Sequence, residues 1–129
     1  MKIVKGFPPN IAEINKKFKI TDHTVFTYGS ELYNPIGLEI SQDLLVHEET
    51  HEQQQKDIGV ENWWNMYIEN KGFRLKQEVE AYQNQYKFLK KVLNRKGRFG
   101  ALEMLADQLS SELYDSIINR REAKELIDV

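Results

Sequence analysis

The amino-acid sequence predicts an α+β fold in which a small β-sheet or hairpin near the N-terminus packs on a mostly helical domain. Residues 24–40 are rich in β-branched and aromatic side chains and contain turn residues. From residue 41 onwards, apolar residues recur at helical spacing. The chain has 129 residues, of which 40% are hydrophobic, and this is enough for one modest core. We therefore expect a single domain over residues 1–129.

Short elements are predicted before residue 41. The segment IAEINKKFKI places apolar side chains three or four residues apart, which favours a short helix. Two strands at about residues 24–28 and 31–33 would form a hairpin around Gly29-Ser30. A further short strand is expected near residues 36–40, after the turn sequence NPIG.

Helices dominate the rest of the predicted fold. Ser41 is a suitable N-cap for a helix over about residues 42–57, and Gly59 is a suitable stop after it. Two Lys-Gly pairs, at residues 71–72 and 96–97, are expected to end later helices. The later helices are expected at about residues 61–70, 74–95, 100–118 (where Ser110-Ser111 could break the helix) and 120–127, the last capped by Asn119.

Cysteine and histidine usage restricts the chemistry. The sequence has no cysteine, which excludes a disulfide framework, thiolate metal sites and a cysteine nucleophile. A metal site would therefore use His, Asp or Glu. The chain contains three histidines, His23, His47 and His51, so their spacing is informative.

Charge and hydropathy restrict the partners. The 18 Lys and Arg residues nearly balance 20 Asp and Glu residues, which does not favour a nucleic-acid partner. No segment resembles a signal peptide, and no apolar run approaches the roughly 18 residues of a membrane span. We expect no membrane partner and a cytoplasmic location, and an origin in a phage or mobile element would be compatible.

Residues 47–51 read His-Glu-Glu-Thr-His and fit the pattern H-E-x-x-H. On an α-helix, His47 and His51 lie on one face, one turn apart, and can reach one ion. Zn²⁺, which binds imidazole nitrogen, is the expected cofactor. Glu48 would lie beside the ion and take a proton from metal-bound water as a general base.

The two histidines are expected to face inward. Leu44 and Ile58 share their helical face and mark it as buried. Burying imidazoles without partners costs about 1–3 kcal/mol for each unsatisfied group, and a shared metal removes that cost. Gln54 is a candidate for holding a histidine ligand through its amide.

A carboxylate is the natural third ligand, and the segment EVEAY offers Glu78 and Glu80. Glu78 lies three residues after Leu75 and four before Tyr82, so it falls on the apolar stripe of its helix. Glu80 falls on the lysine-rich face, where an ion-pair role is expected. Since an inward Glu must be paired, protonated or metal-bound, the pattern favours Glu78 and leaves Glu80 as the alternative.

The segments around this site are expected to cover it and to receive substrate. One edge of the small sheet could pair with an extended peptide, so a peptide or protein substrate is the expected partner. Trp63, Trp64, Tyr67 and Ile68 have helical spacing and are expected to form a core lid over the active-site helix, with a substrate subsite as the alternative. Arg74 is expected at the surface.

The motif HEETH at residues 47–51, followed by a helical stretch and EVEAY at residues 78–82, resembles the gluzincin clan of zinc metallopeptidases. The resemblance covers roughly residues 24–90, and the short chain is similar to minigluzincin-like metallopeptidases of phages and bacteria. It implies a zincin-like fold and peptide-bond hydrolysis. His47, His51 and Glu78 would be the zinc ligands, and Glu48 the catalytic base.

Tyr82 departs from the family pattern, which often has an Asp four residues after the third ligand. That Asp orients a ligating histidine, so another residue must do so here or the function is lost. Tyr28, Tyr33 and Tyr82 are candidates for an oxyanion donor, but the sequence favours a place in the core for each of them.

Two functions are compatible with these observations. The first is a zinc-dependent peptidase with Glu48 as general base. The second is a catalytically weak or latent zincin-fold domain that acts as a binding or regulatory module. In that case a terminal segment could fill the cleft, or the nine basic residues within residues 71–98 could face an anionic partner.

Overall fold

Within residues 1–111, 114 and 116–129, which the computed structural model describes, the chain forms six α-helices and a three-stranded β-sheet. The mostly helical α+β class is confirmed. No helix in this part of the chain is long and apolar enough to cross a membrane. The strands are β1 (Lys2–Val4), β2 (Phe26–Tyr28) and β3 (Glu31–Tyr33). The helices are α1 (Ile11–Lys17), α2 (Gln42–Ile58), α3 (Val60–Glu69), α4 (Lys71–Val92), α5 (Arg95–Leu109) and α6 (Arg120–Ile127).

The sheet has the strand order β1–β3–β2, so β2 forms one edge. β2 and β3 are the predicted antiparallel hairpin, with Phe26 opposite Tyr33. Gly29 allows the tight turn between them because it adopts a φ of +63°. β1 pairs in parallel with β3. The sequence did not predict β1, because its two apolar residues are too few to form a pattern.

The predicted strand near residues 36–40 is wrong, since these residues form no strand. The side chain of Asn34 donates to the carbonyl of Leu38 and accepts from the N–H of Leu38, at 2.5 and 3.2 Å. These two bonds occupy the backbone polar groups of Leu38. The N–H of Asn34 donates to the carbonyl of Val4 (2.8 Å), so β1 takes the place beside β3.

Two asparagine caps move helix boundaries away from the predicted positions. The side chain of Asn70 accepts from the N–H of Phe73 (2.9 Å), and α4 starts at the next residue. The side chain of Asn94 accepts from the N–H of Gly97 (2.9 Å) and starts α5 in the same way. The Lys-Gly pairs at residues 71–72 and 96–97 therefore begin helices, and the prediction that they end helices is wrong. A capping side chain satisfies a free N–H of the first turn, and this outweighs the weak helix propensity of glycine.

The remaining boundaries follow the sequence more closely. Gly59 ends α2 with a φ of +94°, as expected. α5 ends at Leu109, and the Ser110 hydroxyl donates to the carbonyl of Ala106 (2.8 Å), so the break replaces the longer predicted helix. Residues 112, 113 and 115 of that prediction lie outside the described residues. Asn119 caps α6 with a capping box, which confirms the last predicted helix.

Helix α2 contacts both apolar clusters of the molecule, because it packs against α3, α4 and β2. Its own buried residues are all polar, so they need hydrogen-bond partners or a ligand. They are His47, Glu48, Thr50, His51, Gln54 and Gln55. The first cluster joins α4, α5 and α6 through Tyr82, Tyr86, Leu89, Ala101, Leu102, Leu105, Ala106, Leu109, Ala123 and Ile127. The second joins α1, β2 and α3 through Ile14, Phe18, Phe26, Trp63, Trp64, Tyr67 and Ile68.

Candidate metal centre

Three buried side chains from α2 and α4 converge on one point. His47 and His51 project from successive turns of α2, and Glu78 projects toward them from α4. The Nε2 atoms of His47 and His51 lie 3.2 Å from Oε1 and Oε2 of Glu78, respectively. One ligand atom from each residue lies within 4.8 Å of the others, so the group could hold a metal ion.

The carboxylate of Glu78 is incompletely satisfied by the protein. Among the groups that the structure describes, none makes a hydrogen bond to its Oε1 atom, which is buried. Nε2 of His47 lies 3.2 Å from this oxygen, within ion-pair distance. A buried carboxylate oxygen without a partner is costly. An ion held between Glu78 and the two histidines would satisfy this oxygen, so the residues present fit a metal.

His47 is held from behind by an amide and a carboxylate. Its Nδ1 atom lies 3.0 Å from Oε1 of Gln85, a buried residue of α4. Nε2 of Gln85 in turn donates to Oδ2 of Asp43, on the first turn of α2, at 2.8 Å. Gln85 and Asp43 are not among the site residues predicted from the sequence. Their spacing could have revealed them, because Asp43 is one turn before His47 and Gln85 is two turns after Glu78.

His51 has a similar support. Its Nδ1 atom lies 2.8 Å from Oε1 of Gln54, so the expected contact between Gln54 and a histidine is present. Nε2 of Gln54 donates to the backbone carbonyl of Gln77 (3.1 Å) and to Oε1 of Glu80 (2.8 Å). Glu80 is exposed, as expected, and lies outside the group of three ligand side chains.

The third ligand side chain is held by a tyrosine of α3. The Tyr67 hydroxyl donates to Oε2 of Glu78 at 2.6 Å. Burial, together with the nearby Glu78 carboxylate, raises the pKa of Tyr67 well above its usual value, so the hydroxyl keeps its proton. The sequence placed Tyr67 in the aromatic lid. Its hydrogen bond to Glu78 depends on how α3 packs against α4, which the spacing of residues did not reveal.

The pKa values within the group reflect mutual stabilisation of opposite charges in the metal-free protein. Burial alone would raise the pKa of Glu78, but the adjacent His51 and His47 hold it well below its usual range. Burial lowers the pKa of His51, but the Glu78 carboxylate outweighs this and raises the pKa to about 9. A bound cation would replace the proton that His51 holds in this state.

Glu48 lies beside the three ligand side chains and is 6% exposed. The Thr27 hydroxyl, on β2, donates to Oε2 of Glu48 at 2.6 Å. This bond fixes the direction of the carboxylate. Glu48 and the three ligand side chains all line the same cavity.

That cavity, called here the metal-site cavity, has a volume of about 70 Å³. A single water needs about 10–15 Å³ by this measure, so the space holds an ion with a few small groups. Its polar side is formed by Thr27, His47, Glu48, His51 and Glu78. The remaining lining side chains are mainly apolar or aromatic and come from the N-terminal region, from α3 and from Tyr114: Ile14, Phe18, Ile20, Thr24, Val25, Phe26, Trp63, Trp64, Tyr67 and Tyr114.

The structure separates the three tyrosines predicted as oxyanion donors. Tyr82 packs edge-on against His47, with ring centres 4.5 Å apart, and its hydroxyl lies 3.0 Å from that of Tyr114. Tyr28 lines a different cavity, beside α1 and α3, and Tyr33 donates to a carboxylate on its own strand. Tyr114, which the sequence analysis did not single out, lines the metal-site cavity.

The edge of β2 is less open than expected for pairing with a peptide. The carbonyl of Thr27 accepts from Nε2 of Gln55 (2.9 Å) and from Nε1 of Trp64 (3.1 Å). The N–H of Gly29 donates to Oε1 of Gln55 (2.7 Å). The amide of Gln55 therefore pairs with β2 much as a neighbouring strand would. An added peptide strand cannot use these backbone groups unless Gln55 moves.

Two smaller expectations about the surroundings are wrong. Ile58 is 42% exposed, so it does not mark the buried face of α2; polar residues form that face. Arg74 is 0% exposed and donates to the carbonyls of Tyr67 and Ile68, both at 2.8 Å. The last carbonyls of a helix have no partner within the helix and need other donors. By donating to them, Arg74 joins α4 to the end of α3.

The aromatic lid is confirmed, since Trp63, Trp64, Tyr67 and Ile68 are all buried. The ring centre of Trp63 lies 5.3 Å from that of His51.

Comparisons of the chain with protein-family models, with curated proteins and with solved structures found no match.

Proposed function

We propose that the protein is a zinc-dependent peptidase with a zincin-like fold of the gluzincin type. One observation supports this most strongly. His47, His51 and Glu78 converge while Glu48 faces the same cavity, so a ligand set and a general base meet at one place. Two histidines and a carboxylate are one of the ligand sets of catalytic zinc, which keeps a further position open.

The spacing of the side chains is compatible with zinc. Ligand atoms about 2.0–2.1 Å from a tetrahedral zinc lie about 3.3 Å apart. Each histidine Nε2 atom lies 3.2 Å from an oxygen of Glu78. When bound, zinc supplies Lewis-acid activation of water and of a carbonyl group.

The protein side chains have distinct roles in the proposed hydrolysis. The Glu48 carboxylate accepts the proton of the attacking water and returns it to the nitrogen of the departing amine. Thr27 holds that carboxylate in position through its 2.6 Å hydrogen bond. The apolar lining of the metal-site cavity excludes water from the reacting atoms, which strengthens the electrostatic interactions there. A peptide or protein is the proposed substrate.

Zinc stoichiometry, combined with one isosteric substitution, tests this proposal. We expect about one zinc per chain in the wild type, a loss of zinc in Glu78→Ala and no loss in Glu80→Ala, which is the matched control on the same helix. Glu48→Gln should retain zinc and lose hydrolysis of a denatured protein substrate such as casein. A wild type that takes up no zinc on titration, or a Glu48→Gln variant as active as the wild type, would contradict the proposal.

The alternative, a latent domain, has its own supporting observation. The three ligand side chains and Glu48 are each only 3–6% exposed, and side chains from α1 and the segment after it form part of the cavity wall. Ile20 is half-buried in this wall and is not one of the three ligand side chains. If the domain is latent, Ile20→Ala should raise hydrolysis at unchanged zinc content. Equal or lower activity in Ile20→Ala would contradict latency of this kind.

A further inference from the structure

We propose that Asp43 and Gln85 are positioning residues that hold His47 in the orientation and tautomer needed for zinc. This inference rests on the metal centre of the proposed function. It also identifies what replaces the carboxylate that the metallopeptidase resemblance places four residues after Glu78. Here that position is Tyr82, which packs its ring against His47 and directs its hydroxyl to Tyr114.

The two residues form a chain of hydrogen bonds behind His47. Gln85 is 3% exposed and bridges the two helices of the centre, with its Oε1 atom 3.0 Å from Nδ1 of His47. Its Nε2 atom donates to Oδ2 of Asp43 at 2.8 Å. Asp43 and His47 are four residues apart on α2, so the chain of bonds starts and ends on the same helix face.

Asp43 determines which way the Gln85 amide points. An ionised carboxylate only accepts hydrogen bonds, so the NH₂ group of Gln85 must face Asp43. The amide oxygen then faces His47, whose Nδ1 atom must carry a proton in order to donate. In a neutral imidazole this leaves the lone pair on Nε2, the atom that faces Glu78. The Asp43 carboxylate, which is linked to His47 through two hydrogen bonds, thus leaves the Nε2 atom of His47 free to bind a metal.

His51 offers an internal comparison. Gln54 supports it in the same way, but Nε2 of Gln54 has two acceptors, the backbone carbonyl of Gln77 and the side chain of Glu80. The backbone carbonyl remains when Glu80 is removed. The orientation of Gln54 should therefore survive the loss of its carboxylate, whereas the orientation of Gln85 should not.

Zinc affinity of the full-length chain, measured by competition with a chromophoric chelator, tests the inference. We expect Asp43→Ala and Gln85→Met to weaken zinc binding about 10–100-fold, the usual effect of losing such a support. Asp43→Asn retains an acceptor oxygen and should recover part of this loss. Glu80→Ala should bind nearly as tightly as the wild type. Gln83→Met, on the same helix with its amide directed to the carbonyl of Leu126, controls for the substitution itself.

Thermal unfolding of each variant without zinc separates positioning from general damage to the fold. The inference requires that Asp43→Ala binds zinc more weakly than its loss of metal-free stability can account for. The loss of zinc affinity must also be larger in Asp43→Ala than in Glu80→Ala. Equal affinities in Asp43→Ala and Glu80→Ala, with normal zinc binding by the wild type, overturn the inference and leave the proposed function intact. A wild type without zinc overturns both.

Discussion

Helices α2 and α5 each bury one face, but the two faces differ in chemistry. The buried residues of α5 are Ala101, Leu102, Leu105, Ala106 and Leu109, whereas those of α2 are six polar or charged residues. α5 gains its stability from removing apolar area from water. α2 gains little in this way, and each of its buried groups must find a partner. The difference indicates that α2 is built around a site, and α5 around the core.

A substitution in the apolar buried face of α5 should have the largest effect on stability. Leu105 on α5 is 0% exposed within the cluster of α4, α5 and α6. We expect Leu105→Ala to lower the free energy of unfolding by about 2–5 kcal/mol, because it removes buried methyl groups and leaves a cavity. Chemical denaturation measures this loss. Met104→Ala, at a neighbouring position that is 47% exposed, is the control and should change stability little.

The stability that the polar face of α2 contributes should depend on pH, whereas the contribution of the apolar face of α5 should not. The pKa of His51 is raised to about 9 in the metal-free protein, above its value of about 6.5 in an unfolded chain. The resulting stabilisation is fully present below pH 6.5 and is lost as pH rises through 9. Since one pKa unit corresponds to about 1.4 kcal/mol, the metal-free protein should lose up to about 3 kcal/mol over this range.

Denaturation of chelator-treated protein at a series of pH values measures this loss. Zinc-loaded protein is the control, because a metal-bound imidazole nitrogen carries no proton. The stability of the zinc-loaded protein should therefore not fall in the same pH range. Metal-free stability that is constant or rises between pH 6.5 and 9 would contradict the predicted charge state of His51.

Removing one buried polar side chain in the C-terminal half of α2 should have a smaller effect on stability. Gln55 is 0% exposed; it donates to the carbonyl of Thr27 in β2 and accepts from the N–H of Gly29 in the turn that follows. We expect Gln55→Ala to cost about 1–3 kcal/mol, because it leaves buried backbone groups without one partner. Gln53→Ala, exposed on the same helix with its amide directed to Asp57, should cost much less. Similar losses for the two variants would show that the pairing of Gln55 with β2 is unimportant.

Periodicity and capping signals predicted most of the fold. The β2–β3 hairpin, α2 and α6 were predicted because Gly29, Gly59 and Asn119 act locally. The errors occurred where side chains competed for backbone groups. Asn70 and Asn94 cap α4 and α5, so Gly72 and Gly97 lie in the first turns of these helices, although they were expected to end the helices before them. That the chain forms a single domain, with a cytoplasmic location, stays a prediction.

The sequence also predicted the components of the candidate site. His47, Glu48 and His51 follow from spacing on one helix, and Glu78 follows from its place on an apolar stripe. The structure brings the three ligand side chains together. Their roles, and the identity of the metal, stay predictions that zinc binding will test.

The sequence by itself determined the local part of this protein, because a helix fixes the relation of residues three, four or seven positions apart. The HEETH motif, its helix and the place of Glu48 beside the two histidines are of this kind. Only the tertiary structure decided which distant groups meet that helix. Thr27 reaches Glu48, Tyr67 reaches Glu78 and Gln85 reaches His47. Contacts between elements depend on how the faces pack, and this packing satisfies buried polar groups that no local pattern pairs.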